Sequence, residues 1–246
     1  MVFLKRYFQI FFLLLGCVLV FNIIRTAFLI MKSHTLVKNA RAYQRIKPEA
    51  KLKILFIGDS TAVGTGAKDP RDSVAGRFGQ DFPQAQIINL GINGEVTHQL
   101  AQAFNPQKFG ACDLIVVQIG GNDILRFTNL ANLEKDIDQL LAKVSRLSRK
   151  IVLLHSGNVG LAPFFPWYLE GPWRNRSLEV RSLFRKYAAR HHAAYVNLFT
   201  ERQNDFFLTD IHKYYSPDML HPSGEGYGLW YKTIRETMEW EKLRLE

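Results

Sequence analysis

After Pro48 the chain alternates short apolar runs with amphipathic stretches, and this alternation limits the fold more than any other feature. The runs are rich in β-branched residues, and most are followed closely by Gly, Asn or Ser. They are 53–57 (KILFI), 86–90 (QIINL), 113–119 (DLIVVQI), 150–154 (KIVLL) and 194–198 (AYVNL). Short apolar runs bounded by turn residues are typical of strands buried on both faces. The pattern predicts five parallel strands.

Amphipathic helices are predicted between these strands. One lies between the third and fourth runs, where apolar residues recur at steps of three and four: Leu130, Leu133, Ile137, Leu141, Val144 and Leu147. Another precedes the fifth run, and a closing helix is expected over 223–243. Such alternation predicts the α/β class, a doubly wound three-layer sandwich around a five-stranded parallel sheet.

The N-terminal segment contains an uncharged apolar run, Tyr7 to Ile24. As a helix its 18 residues would span about 27 Å, close to the hydrocarbon thickness of a bilayer. A cleaved signal peptide and a lipoprotein signal at Cys17 are the alternatives. The run is longer than a usual signal sequence and stays apolar after Cys17, which favours an uncleaved transmembrane anchor. The predicted divisions are an anchor over 1–31, a basic juxtamembrane stalk over 32–52 and a globular domain over 53–246.

The basic excess belongs to the N-terminal segment. Residues 1–53 carry ten Lys or Arg against one acid, whereas the remainder is nearly neutral at +1. A nucleic-acid enzyme would carry its basic patch on the folded domain, so this class is excluded. Residues 32–53 look helical and are expected to lie against anionic headgroups, with a solvated stalk as the alternative. The positive-inside rule places the domain in the cytoplasm.

Polar, glycine-rich loops follow the first three predicted strands. They are 58–64 (GDSTAVG), 91–94 (GING) and 120–123 (GGND). In a doubly wound sheet the ligand crevice lies beyond the carboxyl ends of the strands, so the three loops should converge on one site.

Ser60 stands in the first of these loops. It could simply cap a helix, or the loop could bind phosphate, although it lacks the Gly-Lys-Ser/Thr and G-x-G-x-x-G patterns. A nucleophilic serine needs a base and an orienting carboxylate. Asp218 and His221 lie three residues apart between Pro217 and Pro222, so one loop can supply both groups.

Four blocks together make the chain resemble the SGNH/GDSL hydrolase family of serine esterases and lipases. They are Gly58-Asp59-Ser60, Asn89 to Gly94, Gly120 to Asp123 and Asp218 to His221, in the family's order. The resemblance implies the flavodoxin-like SGNH fold, a triad of Ser60, Asp218 and His221, and an oxyanion hole formed by Ser60, Gly94 and Asn122. Thr61-Ala62-Val63 departs from the family's more familiar leucine after the serine.

The resemblance implies a serine hydrolase that cleaves lipid or short-chain acyl esters, with no cofactor and no metal. An O-acetyl esterase or acyltransferase acting on a cell-surface polysaccharide is the alternative, and a membrane-tethered binding domain without activity is a third possibility. Relatives often work outside the cytoplasm, which leaves the side of the membrane open. The loop over 157–169, rich in aromatic residues and proline, is expected to cover the crevice or to pack as an ordinary loop.

The remaining histidines and Cys112 receive other interpretations. His212 lies two residues after Asp210 but outside the family's block, and is expected at the rim. His155 is expected near the crevice and His98 on the helix after Gly94, while the His191-His192 pair is expected to end a helix, where cations are favoured. Cys112 precedes a strand and is interpreted as a packing residue.

Overall fold

The computed structural model describes residues 2–245, and contains nine α-helices and five strands within that range. The helices are α1 Val2–Asn39, α2 Ser60–Val63, α3 Val74–Asp81, α4 Thr97–Ala103, α5 Gly121–Leu125, α6 Leu130–Val144, α7 Glu170–Arg190, α8 Ile211–Tyr214 and α9 Gly224–Trp240. The strands are β1 Lys53–Gly58, β2 Gln86–Asn89, β3 Leu114–Gln118, β4 Ile151–Leu154 and β5 Ala194–Val196.

All five strands are parallel and lie in the order β2-β1-β3-β4-β5. This is the doubly wound order in which the chain reverses direction across the sheet between β1 and β3. The predicted α/β fold class is confirmed, and each strand lies within two residues of its predicted bounds. The closing helix is slightly shorter than predicted, because it begins at Gly224 and ends at Trp240.

Alternate residues of each strand enter two separate cores, since successive side chains of a strand point to opposite faces. On one face Leu55 and Ile57 pack with α6 and α7, and on the other Ile54 and Phe56 pack with α3 and α9. Because helices cover both faces of the sheet, a binding site can form only at the ends of the strands. In doubly wound sheets it forms in the loops at the carboxyl ends.

Helix α1 is one continuous helix of 38 residues that passes through the predicted anchor boundary at residue 31. Over Arg6–Asn39 this helix is long and apolar enough to cross a membrane. A signal sequence near the N-terminus can also be long and apolar enough to cross a membrane. Met1, the first residue of the predicted anchor, lies outside the described residues.

Residues 32–39 form the last part of α1, which ends at Asn39. The prediction of a helix over 32–53 is therefore wrong for residues 40–53. The chain beyond is irregular up to β1, and the backbone N–H and C=O of Arg45 exchange hydrogen bonds of 2.9 Å with Ile87 on the free edge of β2. The Arg45 guanidinium also donates to the carbonyl of Phe82. Pairing with an open sheet edge satisfies backbone groups that a helix would leave without partners there.

Candidate active site

Ser60 is the first residue of α2, directly after β1. Gly58 has φ +146°, and any Cβ at this position would overlap the backbone carbonyl of Gln118 on β3, so only glycine allows the turn. Asp59 caps α2, because its Oδ1 accepts hydrogen bonds of 2.8 Å from the N–H and the hydroxyl of Thr61. The tight turn and the cap hold Ser60 at the carboxyl edge of the sheet.

Ser60, His221 and Asp218 form one hydrogen-bonded chain. The Nε2 of His221 lies 2.9 Å from Ser60 Oγ, and its Nδ1 lies 2.6 Å from Asp218 Oδ2. The serine directly follows β1, and the other two residues come from the loop before α9. His221 lies 161 residues after Ser60 in the sequence. The geometry is that of a serine with a base and an orienting carboxylate.

The Asp218 carboxylate is fully buried and has several donors. Its Oδ1 accepts from the Ser216 hydroxyl at 2.7 Å and from the backbone N–H groups of Leu220 and His221 at 3.0 Å. Burial alone would raise the pKa of this carboxyl, but the hydrogen bond and charge of His221, together with the other donors, lower the pKa to about 2. Asp218 therefore remains ionised at neutral pH.

Neighbouring backbone fixes the loop that carries His221. The N–H of Ser216 donates to the carbonyl of His221 at 2.9 Å, and the N–H of Phe164 donates to the carbonyl of Met219 at 2.8 Å. Gly66, at φ +105°, lies so close that a Cβ there would overlap the carbonyl of Pro222. These contacts place the imidazole over Ser60.

Ser60, Gly94 and Asn122, the residues of the predicted oxyanion hole, each have an N–H group without a full set of acceptors among the described residues. Within residues 2–245 the N–H groups of Ser60 and Gly94 have no acceptor. The side-chain amide of Asn122 uses one of its two N–H groups to donate to the Glu95 carbonyl at 2.9 Å, which fixes its orientation and leaves the second N–H. Ser60, Gly94 and Asn122 all line one cavity.

This cavity has a volume of about 630 Å³ and contains both Ser60 and His221 in its wall. Apolar side chains of Leu125, Val159 and Ala162 line it beside the donors. A partly apolar cleft with a few polar groups is the usual form of a small-molecule site.

The model of the GDSL-like Lipase/Acylhydrolase family matches residues 56–229, which is most of the globular part of the chain. The chain belongs to this family. It is an ester-hydrolysing enzyme of the GDSL/SGNH type.

Solved structures share the fold of this GDSL protein. The hydrolase LAE5 from the metagenome of Lake Arreo is 21% identical to this chain, with a TM-score of 0.58. The matched region covers 77% of this chain and 96% of the LAE5 chain. The acetylxylan esterase Axe2 from Geobacillus stearothermophilus is 18% identical with a TM-score of 0.55, covering 82% and 98%. The esterase EstA from Pseudoalteromonas sp. is 16% identical with a TM-score of 0.56, covering 76% and 97%. No curated protein matches the chain.

His34, on α1, lines the same cavity as Ser60 and His221. The other histidines that the sequence singles out do not line this cavity. His212 is exposed on α8. His155 is buried after β4, where its Nδ1 accepts from the N–H of Gly157 at 3.1 Å and burial lowers its pKa to about 3. His98 and His191 bind the carboxylates of Asp136 and Asp138. Within the described range 2–245 no cluster of His, Cys, Asp or Glu is arranged to hold a metal ion.

The loop over 157–169 divides into two parts. Val159 and Ala162 line the crevice, whereas Trp167 and Tyr168 are 80% and 50% exposed. Only the first part forms a wall of the cavity, so the expectation that this loop covers the crevice applies to that part.

Sequence reasoning missed several polar groups that support the site, above all Asp59, Glu95 and Ser216. Asp59 belongs to the GDS block, so its position was visible. Its burial was not, and burial raises its pKa to about 6, against the opposing effect of the Thr61 hydrogen bonds. Its Oδ2 is buried and has no partner among residues 2–245.

We expect Asp59→Asn to stabilise the fold at pH 8 and to have less effect at pH 5. The pKa of this carboxyl is 3.8 in the unfolded chain and about 6 in the folded protein, so below pH 3.8 the protonated group contributes its full stabilisation of the folded state. This contribution is lost as the pH rises through about 6, because the buried carboxyl then becomes charged. Removing the buried charge should therefore gain about 2 kcal/mol at pH 8, after the cost of an unpaired amide N–H. Chemical denaturation at both pH values measures the difference.

Asp72, whose side chain is 49% exposed and lies 4.0 Å from the Arg77 guanidinium, offers the matched control Asp72→Asn. This change should leave the pH profile of stability almost unaltered, since surface pairs contribute little. Parallel stability profiles for wild type and Asp59→Asn would contradict the effect assigned to burial.

Proposed function

We propose that the protein is a membrane-anchored serine hydrolase that cleaves carboxylic esters through an acyl-enzyme on Ser60, with His221 as base and Asp218 as its orienting carboxylate. The observation that supports this most directly is the hydrogen-bonded chain from Ser60 Oγ through His221 to Asp218, at 2.9 and 2.6 Å. Burial of Asp218 and its low pKa add support, because an ionised carboxylate stabilises an imidazolium.

In the first step His221 Nε2 accepts the Ser60 proton while Ser60 Oγ attacks the ester carbonyl carbon. The carbonyl oxygen becomes an oxyanion, which accepts hydrogen bonds from the N–H groups of Ser60 and Gly94 and from the Asn122 amide. Collapse of this intermediate breaks the bond to the alcohol, which leaves with the proton from His221. The acyl group remains on Ser60.

In the second step a water molecule takes the place of the alcohol. His221 accepts its proton, the hydroxide attacks the acyl carbonyl, and the same three donors stabilise the second oxyanion. Breaking the ester to Ser60 releases the carboxylic acid and returns the proton to Ser60. Asp218 stays ionised throughout and pairs with the transient imidazolium.

The acyl part of the substrate is proposed to lie against the apolar wall formed by Leu125, Val159 and Ala162. This wall and the apolar α1 favour a lipid ester. The fold similarity to an acetylxylan esterase supports a second candidate, an O-acetyl esterase or acyltransferase acting on a cell-surface polysaccharide. Both candidates use the same catalytic residues and differ in acyl length.

A panel of p-nitrophenyl esters from acetate to palmitate separates the two candidates, with the full-length protein in detergent. Rising kcat/KM with chain length supports a lipid ester, and activity restricted to acetate supports the O-acetyl candidate. A fluorophosphonate probe tests the mechanism itself, because it labels an activated serine. Failure to label, together with no hydrolysis of any ester, contradicts the proposed function.

Asn122→Ala should lower kcat by roughly 10² to 10³-fold with a smaller change in KM, because the lost donor acts on the oxyanion and little on the bound ester. Asn132→Ala, an exposed asparagine on α6, is the matched control and should behave as wild type. Steady-state kinetics on one p-nitrophenyl ester measure both. A change confined to KM would make Asn122 a substrate-binding residue instead.

A further inference from the structure

Helix α1 docks onto the domain by one face. Its run from Tyr7 to Ile24 is almost entirely exposed, whereas Leu29 is only 6% exposed. The positions of lower exposure recur at steps of three and four, as expected for one helical face. They are Asn22, Arg25, Thr26, Leu29, Lys32, Ser33 and Leu36. The helix therefore packs on the domain from about Asn22 onward.

Hydrogen bonds near both ends of the docked part fix its direction. The Arg25 guanidinium donates to the carbonyls of Pro163 and Phe164, in the loop after β4. Shortly beyond the other end, Gln44 Nε2 donates to the carbonyl of Asn89 at 3.2 Å, at the carboxyl end of β2. Strands β1 and β3 lie between β2 and β4. The docked part of α1 thus crosses the carboxyl edge of the sheet, where Ser60, His221 and Asp218 lie.

Side chains of α1 line the crevice itself. Ser33, His34 and Val37 belong to the wall of the cavity that contains Ser60. Ile23, Ile30 and Val37 are seven residues apart and share one face of the helix. They are 60%, 43% and 36% exposed, so an apolar stripe leads from the uncharged run into the crevice.

We propose that α1 is part of the substrate-binding site: His34 and Val37 form a wall of the crevice, and the stripe of Ile23, Ile30 and Val37 guides the acyl chain of a membrane-held ester to Ser60. This inference rests on the proposed function and on α1 crossing the membrane. A substrate delivered in this way has a long acyl chain, since a short one would reach Ser60 from water without contact with the stripe.

The test compares acyl-length selectivity in the full-length protein. For p-nitrophenyl dodecanoate against acetate, the ratio of kcat/KM values should fall about tenfold in Val37→Trp, which narrows the path, and should not fall in Val37→Ala. Ile30→Lys, on an exposed part of the stripe that does not depend on packing, should lower the ratio as well. Met31→Trp is the control, because Met31 is 67% exposed and outside the cavity wall.

Probe labelling of Ser60 shows which variants are folded. Equal ratios in wild type, Val37→Trp and Ile30→Lys would overturn the role of α1, as would an enzyme active on acetate alone. A wild-type protein inert toward both esters and the probe would instead contradict the proposed function.

A second inference rests on the loop after β4. Trp167, Tyr168 and Leu169 are 80%, 50% and 37% exposed, and Arg25, which binds this loop, directly follows the uncharged run of α1. The loop thus lies at the level where α1 leaves the hydrocarbon. Trp and Tyr are favoured at that level of a bilayer. We infer that Trp167–Leu169 contacts the headgroup region of the same membrane.

Brominated phosphatidylcholine vesicles test this contact, because bromine quenches nearby tryptophan and all four tryptophans of the chain lie outside α1. Trp167→Phe should remove at least half of the quenching seen in the full-length wild type. Adding Gln84→Trp should not restore it. Gln84 is exposed beside Pro83, whose carbonyl binds Lys47 beyond the far end of α1. Unchanged quenching in Trp167→Phe, or quenching of the Gln84→Trp signal, would overturn the contact.

Discussion

Ser60→Ala should lower kcat for ester hydrolysis by about 10³-fold or more and abolish labelling by a fluorophosphonate probe. The hydroxyl oxygen is the atom that His221 Nε2 approaches at 2.9 Å, and no other side chain of the described part of the chain bonds to this nitrogen. The residual rate would come from the oxyanion donors and from binding. Loss of one hydroxyl should leave the fold intact, because the Asp59 cap and the Gly58 turn do not depend on it.

Ser156→Ala is the matched control for this experiment. Ser156 lines the same cavity after β4 and has no hydrogen bond to His221. Its removal should change kcat less than tenfold, as measured on the same ester and at the same probe concentration. Near-normal hydrolysis by Ser60→Ala would remove Ser60 from the mechanism.

The sheet could be predicted because its signal is local. A parallel strand covered on both faces must be apolar along its whole length, as Leu114–Gln118 nearly is, and it must end where a turn residue begins the next loop. The bounds of each strand can therefore be predicted from its own residues. The strand-helix alternation then limits the order of the strands to few arrangements, and the flavodoxin-like arrangement is the one that the resemblance to the SGNH family implies.

The docking of α1 could not be predicted in this way. Arg25 reads as a charge near the end of a membrane helix, and only the folded structure brings it to the carbonyls of Pro163 and Phe164, 138 and 139 residues away. The same holds for Arg45, whose basic, helix-like surroundings give no sign of its pairing with Ile87. Long-range backbone contacts of this kind leave no periodic pattern in the sequence.

The candidate site lies between these cases. Motif blocks identified Ser60, Gly94, Asn122, Asp218 and His221 at positions that the structure brings to one cavity or its immediate support, although their catalytic roles remain predictions. The contribution of Glu95 could not be identified, because this residue offers only its backbone carbonyl to Asn122. Backbone acceptors carry no residue-type signal.

His221→Ala should lower kcat/KM by about 10³-fold or more, comparable with the loss of the nucleophile, because residues that act as one unit lose most of their effect together. The backbone N–H of residue 221 still donates to Asp218, as do Ser216 and Leu220, so the loop should keep its shape. Circular dichroism and probe labelling separate this outcome from unfolding, since a folded variant with an unactivated serine should label far more slowly.

His212→Ala is the comparison that decides which histidine is the base. His212 is exposed on α8, and no hydrogen bond joins it to Ser60 within the described residues. Its removal should leave kcat/KM within a few-fold of wild type on the same ester. Loss of activity in His212→Ala with activity retained in His221→Ala would transfer the base to the Asp210-Ile211-His212 stretch.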